Sequence, residues 1–96
     1  MINSIDIENK LAILKPELKN KFHVNKIGYF GSFVTNKQHD KSDIDILVEF
    51  SKPIGWAFFD LQELLEKELG RKIDLVSIKA LKKQLREIIL NQVKYI

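Results

Sequence analysis

The order of hydrophobic patterns along the chain predicts an α+β protein, a two-layer α/β arrangement in which helices pack on a small mixed β-sheet of three to four strands. Three segments carry apolar residues every three or four positions, which is typical of amphipathic helices. Between them lie short runs with β-branched and aromatic residues, which are typical of strands. With 96 residues the chain can build one modest core, so we expect a single domain over residues 1–96.

The first predicted element is a helix over residues 5–22. Its apolar residues form one stripe, made of Ile7, Leu11, Leu14, Leu18 and Phe22. Pro16 lies inside this pattern and lacks the N–H that a helix interior needs, so the helix is expected either to bend there or to end near Leu14 and restart. Residues 26–30 lead into Gly31, which predicts a strand that ends at a turn.

The middle of the chain is predicted to contain a polar loop and a buried strand. Residues 33–42 show no sustained period, which indicates a loop with one helical turn at most. Residues 43–50 form an almost continuous apolar run, which is typical of a central strand covered on both faces. Asp43 and Asp45 are the anomalies in this run.

The last third of the chain is predicted to form a helix, a strand and a helix. Apolar residues repeat at helical spacing over residues 58–69, and Gly70 is a suitable C-terminal cap. Residues 72–76 are predicted to form a third strand, after which Ser77 would cap a final helix. The stripe that we expect this helix to bury consists of Leu81, Leu85, Ile88 and Ile89.

The composition of the chain excludes several kinds of binding site and partner. The chain contains no cysteine, which excludes disulfides and thiolate zinc sites. The N-terminal segment MINSIDIENK is polar and there is no run of about 18 apolar residues, so we expect no signal peptide, no membrane association and a cytoplasmic location. The net charge of +3 comes from scattered lysines, and we do not expect nucleic acid as a partner.

Two aspartates stand at the start of the most apolar strand. Asp43 and Asp45 are two positions apart, so their side chains emerge on the same face of a strand. Like charges in apolar surroundings repel each other and lose hydration, an arrangement that persists when a cation lies between them. Mg²⁺ suits such a pair, since it binds a few carboxylate oxygens and completes its shell with water and phosphate. The ordinary alternative is a pair of solvated aspartates at a strand entrance.

Three further residues are expected to join this pair. Asp74 lies between two apolar residues on the third strand, which follows the second strand through a helical crossover. Gly31 and Ser32 end the first strand, and antiparallel pairing would bring that end beside Asp43. A glycine lets the backbone approach a phosphate, and a serine adds hydroxyl and N–H donors. Each feature is common by itself, and their conjunction is what indicates a phosphate-handling site.

The segment GSFVTNKQHDKSDIDILVEF resembles the GS-x10-D-x-D signature of the DNA polymerase β-type nucleotidyltransferases. Further on, LGRKIDLV resembles the segment that supplies their third carboxylate, so the likeness covers nearly the whole chain. The chain is most similar to the minimal nucleotidyltransferase (MNT) members, which act as antitoxins beside HEPN-domain toxins. The resemblance implies a polymerase β palm-like nucleotidyltransferase fold.

The resemblance also implies a reaction and roles for the site residues. Gly31 and Ser32 would bind the triphosphate of ATP or another nucleoside triphosphate, and Asp43 and Asp45 would hold two Mg²⁺ ions. Asp74 would complete the metal site on the acceptor side or help to deprotonate the acceptor. Two metal ions that clamp the attacking and leaving oxygens make a histidine or cysteine nucleophile unnecessary. In the MNT group the acceptor is a tyrosine of the HEPN toxin, so the predicted function is magnesium-dependent adenylylation of such a toxin.

Two positions depart from the family pattern. Many relatives carry an arginine and then a glycine shortly after the Gly-Ser pair, where this chain has Thr35 and Asn36. Asparagine tolerates a left-handed backbone, whereas the missing guanidinium could have contacted phosphate, a role that Lys37 or Lys41 would have to fill. The alternative hypothesis is therefore an antitoxin with weak catalysis that neutralises its toxin by binding alone.

Aromatic and apolar residues outside the signature point to partners. Trp56, Phe58 and Phe59 are expected either to form a partner surface or to be buried in part by their helix. The small core and the apolar C-terminus favour a homodimer or a hetero-oligomer with the toxin.

Overall fold

A computed structural model of the chain describes residues 2–35, 37–38 and 42–96. The first half contains α1 (Ser4–Phe22), β1 (Val24–Phe30), the single turn α2 (Ser32–Thr35) and β2 (Ile44–Phe50). The second half contains α3 (Ala57–Leu69), β3 (Ile73–Ser77), a 3₁₀ turn (Ile78–Ala80), α4 (Lys83–Gln92) and β4 (Lys94–Tyr95). The predicted elements are all present, and the structure adds β4 at the end of the chain.

The four strands form one mixed sheet in the order β3-β2-β1-β4. β1 is antiparallel to both of its neighbours, and β2 is parallel to β3. The helix α3 makes the crossover between the two parallel strands, as such a connection requires. The prediction of helices packed on a small mixed sheet of three to four strands is confirmed.

The main core lies between one face of the sheet and the helices α1 and α3. The predicted stripe of α1 is buried along its whole length, and α3 buries Leu61, Leu65 and Leu69. In β2, Ile44, Ile46 and Val48 are fully buried on the helix-covered face, while Leu47 is fully buried on the opposite face. The prediction of a central strand that is covered on both faces is therefore confirmed.

The helix α1 runs through Pro16 without a break. Asn3 caps its start, because its side chain accepts from the Asp6 N–H while the Asp6 carboxylate accepts from the Asn3 N–H. Leu14 and Leu18, on either side of the proline, both pack into the core. The alternative that the helix ends near Leu14 is wrong, because burial of the stripe outweighs one lost hydrogen bond.

Within the described ranges, no helix is long and apolar enough to cross a membrane.

The last helix differs from the prediction in its start and in its packing. Ser77 is the final residue of β3 and precedes the 3₁₀ turn, and α4 begins only at Lys83. None of the ten residues of α4, all of which are described, is buried, and Leu85 and Ile88 are 51% and 58% exposed. The predicted buried stripe is therefore wrong. Its spacing is that of an amphipathic helix, but α1 and α3 already cover the core face of the sheet.

Candidate active site

The Gly-Ser turn lies directly against a carboxylate. Gly31 joins β1 to α2 with a φ of +75°, a backbone conformation that residues with a side chain rarely adopt. A Cβ atom at this position would lie 2.2 Å from Oδ2 of Asp45. The Gly31 carbonyl accepts from the N–H groups of Val34 and Thr35, both at 3.1 Å, which starts α2. Only glycine allows the turn and the carboxylate to be this close.

The sheet places two of the predicted carboxylates side by side. Asp45 of β2 is opposite Phe30 of β1 on one side and opposite Asp74 of β3 on the other. Because adjacent strands are about 4.8 Å apart, the two side chains share one stretch of the sheet surface. Asp43 precedes β2 and is exposed, as is Asp74, whereas Asp45 is half-buried. The turn thus lies against Asp45, two residues deeper in the strand than the sequence indicated.

The pKa of Asp45 is raised by its surroundings. Burial, then the charge of Asp74 and a hydrogen bond with it, and finally the charge of Asp43 raise the pKa of Asp45 from 3.8 to about 6. Each contribution favours the protonated form, because the ionised form would add a second or third negative charge to a partly dry site. The electrostatics therefore bring together all three aspartates that the sequence singled out.

The donor set suits a hard cation, although the side chains are not arranged around one. Within the described ranges, no group of three His, Cys, Asp or Glu residues converges closely enough to hold a metal ion. Asp45 instead faces Asp74 across the β2–β3 pair, and hydrogen bonding with Asp74 favours the protonated form of Asp45 and contributes to its raised pKa. Carboxylate oxygens are the ligands that Mg²⁺ prefers, and a cation would remove the repulsion that raises the pKa of Asp45.

Positive charge near the turn comes from a residue that the sequence did not single out. The Arg71 guanidinium lies over the Phe33 ring of α2, 5.9 Å from its centroid. This cation–π contact brings a fixed positive charge beside the Gly-Ser turn. Lys37 is exposed next to α2, and Lys41, like Asn36, falls outside the described residues. Thr35, at the expected arginine position, donates its hydroxyl to the carbonyls of Gly31 and Ser32 at 3.3 and 3.4 Å.

A second unexpected residue reaches the turn from the end of α4. The backbone N–H of Gly31 donates to Oε1 of Gln92 at 2.7 Å, in a part-buried hydrogen bond. Because a glutamine at the end of an amphipathic helix is ordinary, no sequence pattern pointed to it. The Gly31 N–H is thus satisfied by a side chain.

An apolar cavity lies away from the carboxylates. It has a volume of about 490 Å³ and is lined near the C-terminal ends of β2 and β3 by Phe50, Phe58, Phe59 and their neighbours, without an ionisable side chain. Phe58 is partly buried against Phe50, so the helix accounts for one of the three aromatics, as predicted. Trp56 and Phe59 remain 83% and 56% exposed. The cavity lacks the groups that phosphate chemistry needs.

Comparison with known proteins identifies the family. The profile of the family described as polymerase beta, nucleotidyltransferase matches residues 13–96, a range that includes Gly31, Ser32 and the three aspartates. The chain belongs to this nucleotidyltransferase family. Its four-stranded mixed sheet with helices agrees with that assignment, and the resemblance stated from the Gly-Ser and Asp-x-Asp residues is confirmed.

This nucleotidyltransferase is similar to one curated relative and to chains of two solved structures. The protein adenylyltransferase MntA of Thermococcus cleftensis is 39% identical over 97 residues, which cover 100% of this chain and 98% of MntA. A chain of a crystal structure of a toxin–antitoxin with AMP-PNP is 30% identical with a TM-score of 0.76, covering 92% of this chain and 70% of the other. A chain from the complex of the tri-AMPylated HEPN toxin with the MNT antitoxin of Shewanella oneidensis is 26% identical with a TM-score of 0.66, covering 93% and 69%.

Proposed function

We propose that this nucleotidyltransferase transfers AMP from ATP to a tyrosine hydroxyl of a cognate HEPN-type toxin and thereby acts as an antitoxin. The observation that carries the proposal is the contact between the Gly31 backbone and the Asp45 carboxylate, which lies opposite Asp74. A turn that admits phosphate thus stands beside acidic residues that can hold a cation. The choice of a protein acceptor rests on the relatives, one named a protein adenylyltransferase and one found with an AMPylated HEPN toxin.

Each site residue has a role in this proposal. Gly31 keeps the turn close to Asp45, and the Ser32 hydroxyl and backbone provide donors for the triphosphate. Arg71 lies over Phe33 of α2 and Lys37 is exposed next to α2, and positive charge near the Gly-Ser turn favours an anionic substrate. The two exposed carboxylates, Asp43 and Asp74, flank the half-buried one.

Mg²⁺ suits the carboxylate chemistry of the three aspartates, and two ions held by Asp43, Asp45 and Asp74 would stabilise the attacking and leaving oxygens when bound. In the reaction the tyrosine oxygen forms a bond to the α-phosphorus, and the bond from that phosphorus to pyrophosphate breaks. The tyrosine hydroxyl passes its proton to the Asp74 carboxylate in the same step. We assign Asp74, which is exposed and beside Asp45, to the tyrosine that accepts AMP. We assign Asp43 and the Gly-Ser turn to the nucleotide.

The experiment is a transfer assay with purified wild-type protein, the HEPN protein that co-purifies with it, Mg²⁺ and each α-labelled nucleoside triphosphate. Label is expected on the HEPN protein with ATP, and Tyr→Phe substitution of its acceptor should remove the label. Asp45→Asn is expected to lower the rate at least about 100-fold, because it removes a carboxylate charge from the metal and phosphate site. Asp60→Asn, at an exposed aspartate on α3, is the matched control and should leave the rate unchanged.

A second candidate function is neutralisation by binding alone, which Thr35 in the expected arginine position favours. Under this alternative the wild-type protein forms the complex and protects cells but leaves no label on the HEPN protein. The Asp43→Asn, Asp45→Asn double variant would then protect as well as the wild type. If the wild type labels the HEPN protein and the double variant loses both the labelling and the protection, the alternative is wrong.

A further inference from the structure

The hydrogen bond between Gln92 and Gly31 continues the pairing of β1 with β4. Ile96 N–H donates to the Ile27 carbonyl at 2.9 Å, and Tyr29 pairs with Lys94. In an antiparallel ladder, the hydrogen-bonded positions recur every second residue, so the next such position joins residues 31 and 92. There the Gly31 N–H would donate to the backbone carbonyl of residue 92.

The chain cannot continue this ladder with its backbone, because Gln92 is the last residue of α4. Its side-chain carbonyl replaces the missing backbone acceptor and binds the Gly31 N–H at 2.7 Å. Val93 then leaves the helix in an extended conformation and packs beside Gly28, which has room for no side chain. The residues that follow Gln92 are thus paired with β1, and the side chain of Gln92 extends this pairing to the turn.

A movement of Gly31 would change the position of the Gly-Ser turn relative to the Asp45 carboxylate. The residue is confined between the Asp45 carboxylate, its bond to Gln92 and its carbonyl bonds to α2. A part-buried N–H that loses its acceptor is unfavourable, so loss of the Gln92 oxygen would favour rotation of the peptide between Phe30 and Gly31. That rotation moves the backbone that faces the triphosphate in the proposed reaction.

We propose that Gln92 is a positioning residue for nucleotidyl transfer. Its side-chain carbonyl holds the Gly31 peptide and thereby sets the place of the Gly-Ser turn relative to Asp45. Gln92 acts through Gly31 and reaches no reacting atom in this role. The effect on transfer rests on the proposed function, whereas the effect on the Gly31 N–H does not.

The first test measures the Gly31 amide by NMR in protein labelled with ¹⁵N-glycine and ¹³C-carbonyl phenylalanine. The chain has four glycines, and only Gly31 follows a phenylalanine, so its signal is identified without a full assignment. Gln92→Ala is expected to shift this signal and to speed its hydrogen exchange at least about tenfold, because the amide loses its acceptor. Gln92→Asn should behave like Gln92→Ala, because its shorter side chain falls short of Gly31.

Gln92→Glu is the variant that restores the contact, since it keeps an acceptor oxygen at the same reach. Protection of the Gly31 amide should return to within about threefold of the wild type, even though a charge has been added. Asn91→Ala, at the exposed neighbouring residue on α4, is the control and should leave the signal unchanged. Equal protection in wild type and Gln92→Ala would overturn the proposal.

The second test separates positioning from simple loss of folded protein. Gln92→Ala is expected to raise the KM for ATP about tenfold at matched folded protein concentration, because the turn that holds the triphosphate is displaced. A loss of stability alone would lower only the rate per total protein and would leave KM at the wild-type value, and an unchanged KM would overturn the role in transfer. If the wild type transfers no label at all, the proposed function fails, while the amide measurement still decides whether Gln92 fixes the turn.

Discussion

Gly31 lies so close to Asp45 that its lack of a side chain can be tested directly. In Gly31→Ala, the new Cβ would lie 2.2 Å from the carboxylate oxygen and would also require a φ of +75°. We expect a loss of about 2–4 kcal/mol in the free energy of unfolding, since a clash adds to the strain of a left-handed backbone. Nucleotidyl transfer should fall at least about 100-fold, because the turn and the carboxylate must separate. Chemical denaturation and the labelling assay measure the two effects.

Gly55→Ala is the matched control for this substitution. Gly55 has a φ of +57°, and apart from its two chain neighbours no described residue has an atom within 4 Å of the position of its Cβ. Gly55→Ala should lower the free energy of unfolding by only about 1 kcal/mol, because alanine is strained in a left-handed backbone, and the variant should keep full activity. Equal losses in the two variants would mean that the contact with Asp45 adds nothing to backbone strain.

The raised pKa of Asp45 makes the stability of the metal-free protein depend on pH. Its pKa is about 6 in the folded chain against an ordinary 3.8, so between these values the folded state binds a proton more tightly than the unfolded state. The contribution of Asp45 to stability is therefore complete below about pH 4 and is lost as the pH rises through about 6. Because the carboxyl is only half-buried and partly screened, we expect a loss of about 1 kcal/mol.

Urea denaturation of the chelator-treated protein between pH 4 and pH 7 measures this contribution. Asp45→Asn should flatten the pH dependence, whereas Asp60→Asn should leave it as in the wild type. Addition of Mg²⁺ at pH 7 should restore stability to the wild type and not to Asp45→Asn, because a cation that binds the folded state stabilises it. A pH profile that Asp45→Asn leaves unaltered would contradict the assigned pKa.

At the scale of elements, α1 is joined to the central part of the sheet by a hydrogen bond as well as by apolar packing. The hydroxyl of Tyr29, a fully buried residue of β1, donates to the Glu8 carboxylate on α1. Burial, followed by this bond and the charge of Glu8, raises the pKa of Tyr29 to about 12. The bond satisfies the one polar atom that Tyr29 brings into the core.

Tyr29→Phe is expected to reduce the free energy of unfolding by about 1–2 kcal/mol, because a charge-assisted hydrogen bond is lost and the ring stays packed. Tyr95→Phe, at an exposed tyrosine of β4, is the control and should change stability by less than about 0.5 kcal/mol. Thermal denaturation compares the two, and Glu8→Ala combined with Tyr29→Phe measures their coupling. Additive losses in the double variant would show that the two side chains do not interact.

At the scale of the whole molecule, burial is distributed unevenly among the helices. The helices α1 and α3 each bury a complete apolar stripe, whereas no residue of α4 is buried. We expect the amides of α4 to exchange with deuterium at least about tenfold faster than those of α1, because helices with few buried contacts open locally at low cost. Mass spectrometry of peptides from residues 4–22 and 83–92 measures the difference, and equal protection would contradict it.

Much of the fold was predictable because local patterns carry it. The stripe of α1 and the apolar run of β2 reflect burial that the chain itself provides, and Gly70 ends α3 with a left-handed backbone at φ +64°. The strand β4 was not predicted, since two residues are too few to show a period. At Pro16 the local sequence signal allowed for a helix break that does not occur, because tertiary packing overrides an unfavourable local residue.

For the candidate site, the sequence by itself determined which residues were predicted to carry the chemistry. The spacing of Gly31, Ser32, Asp43 and Asp45, with Asp74 on a later strand, followed from the resemblance and from simple strand geometry. These residues are recognisable because charges and glycine are out of place in apolar strands. Their assignment as metal and phosphate ligands stays a prediction until the labelling assay is done.

Only the tertiary structure decided how the site is held together. It placed the Gly31 backbone against Asp45, brought the Arg71 guanidinium over Phe33 and supplied Gln92 as the acceptor for the Gly31 N–H. It also left the apolar residues of α4 exposed, although their spacing predicted burial. The physical reason is the same in each case: periodicity along a chain shows that a side chain has a preferred environment, but contacts across the sheet determine which partner provides it.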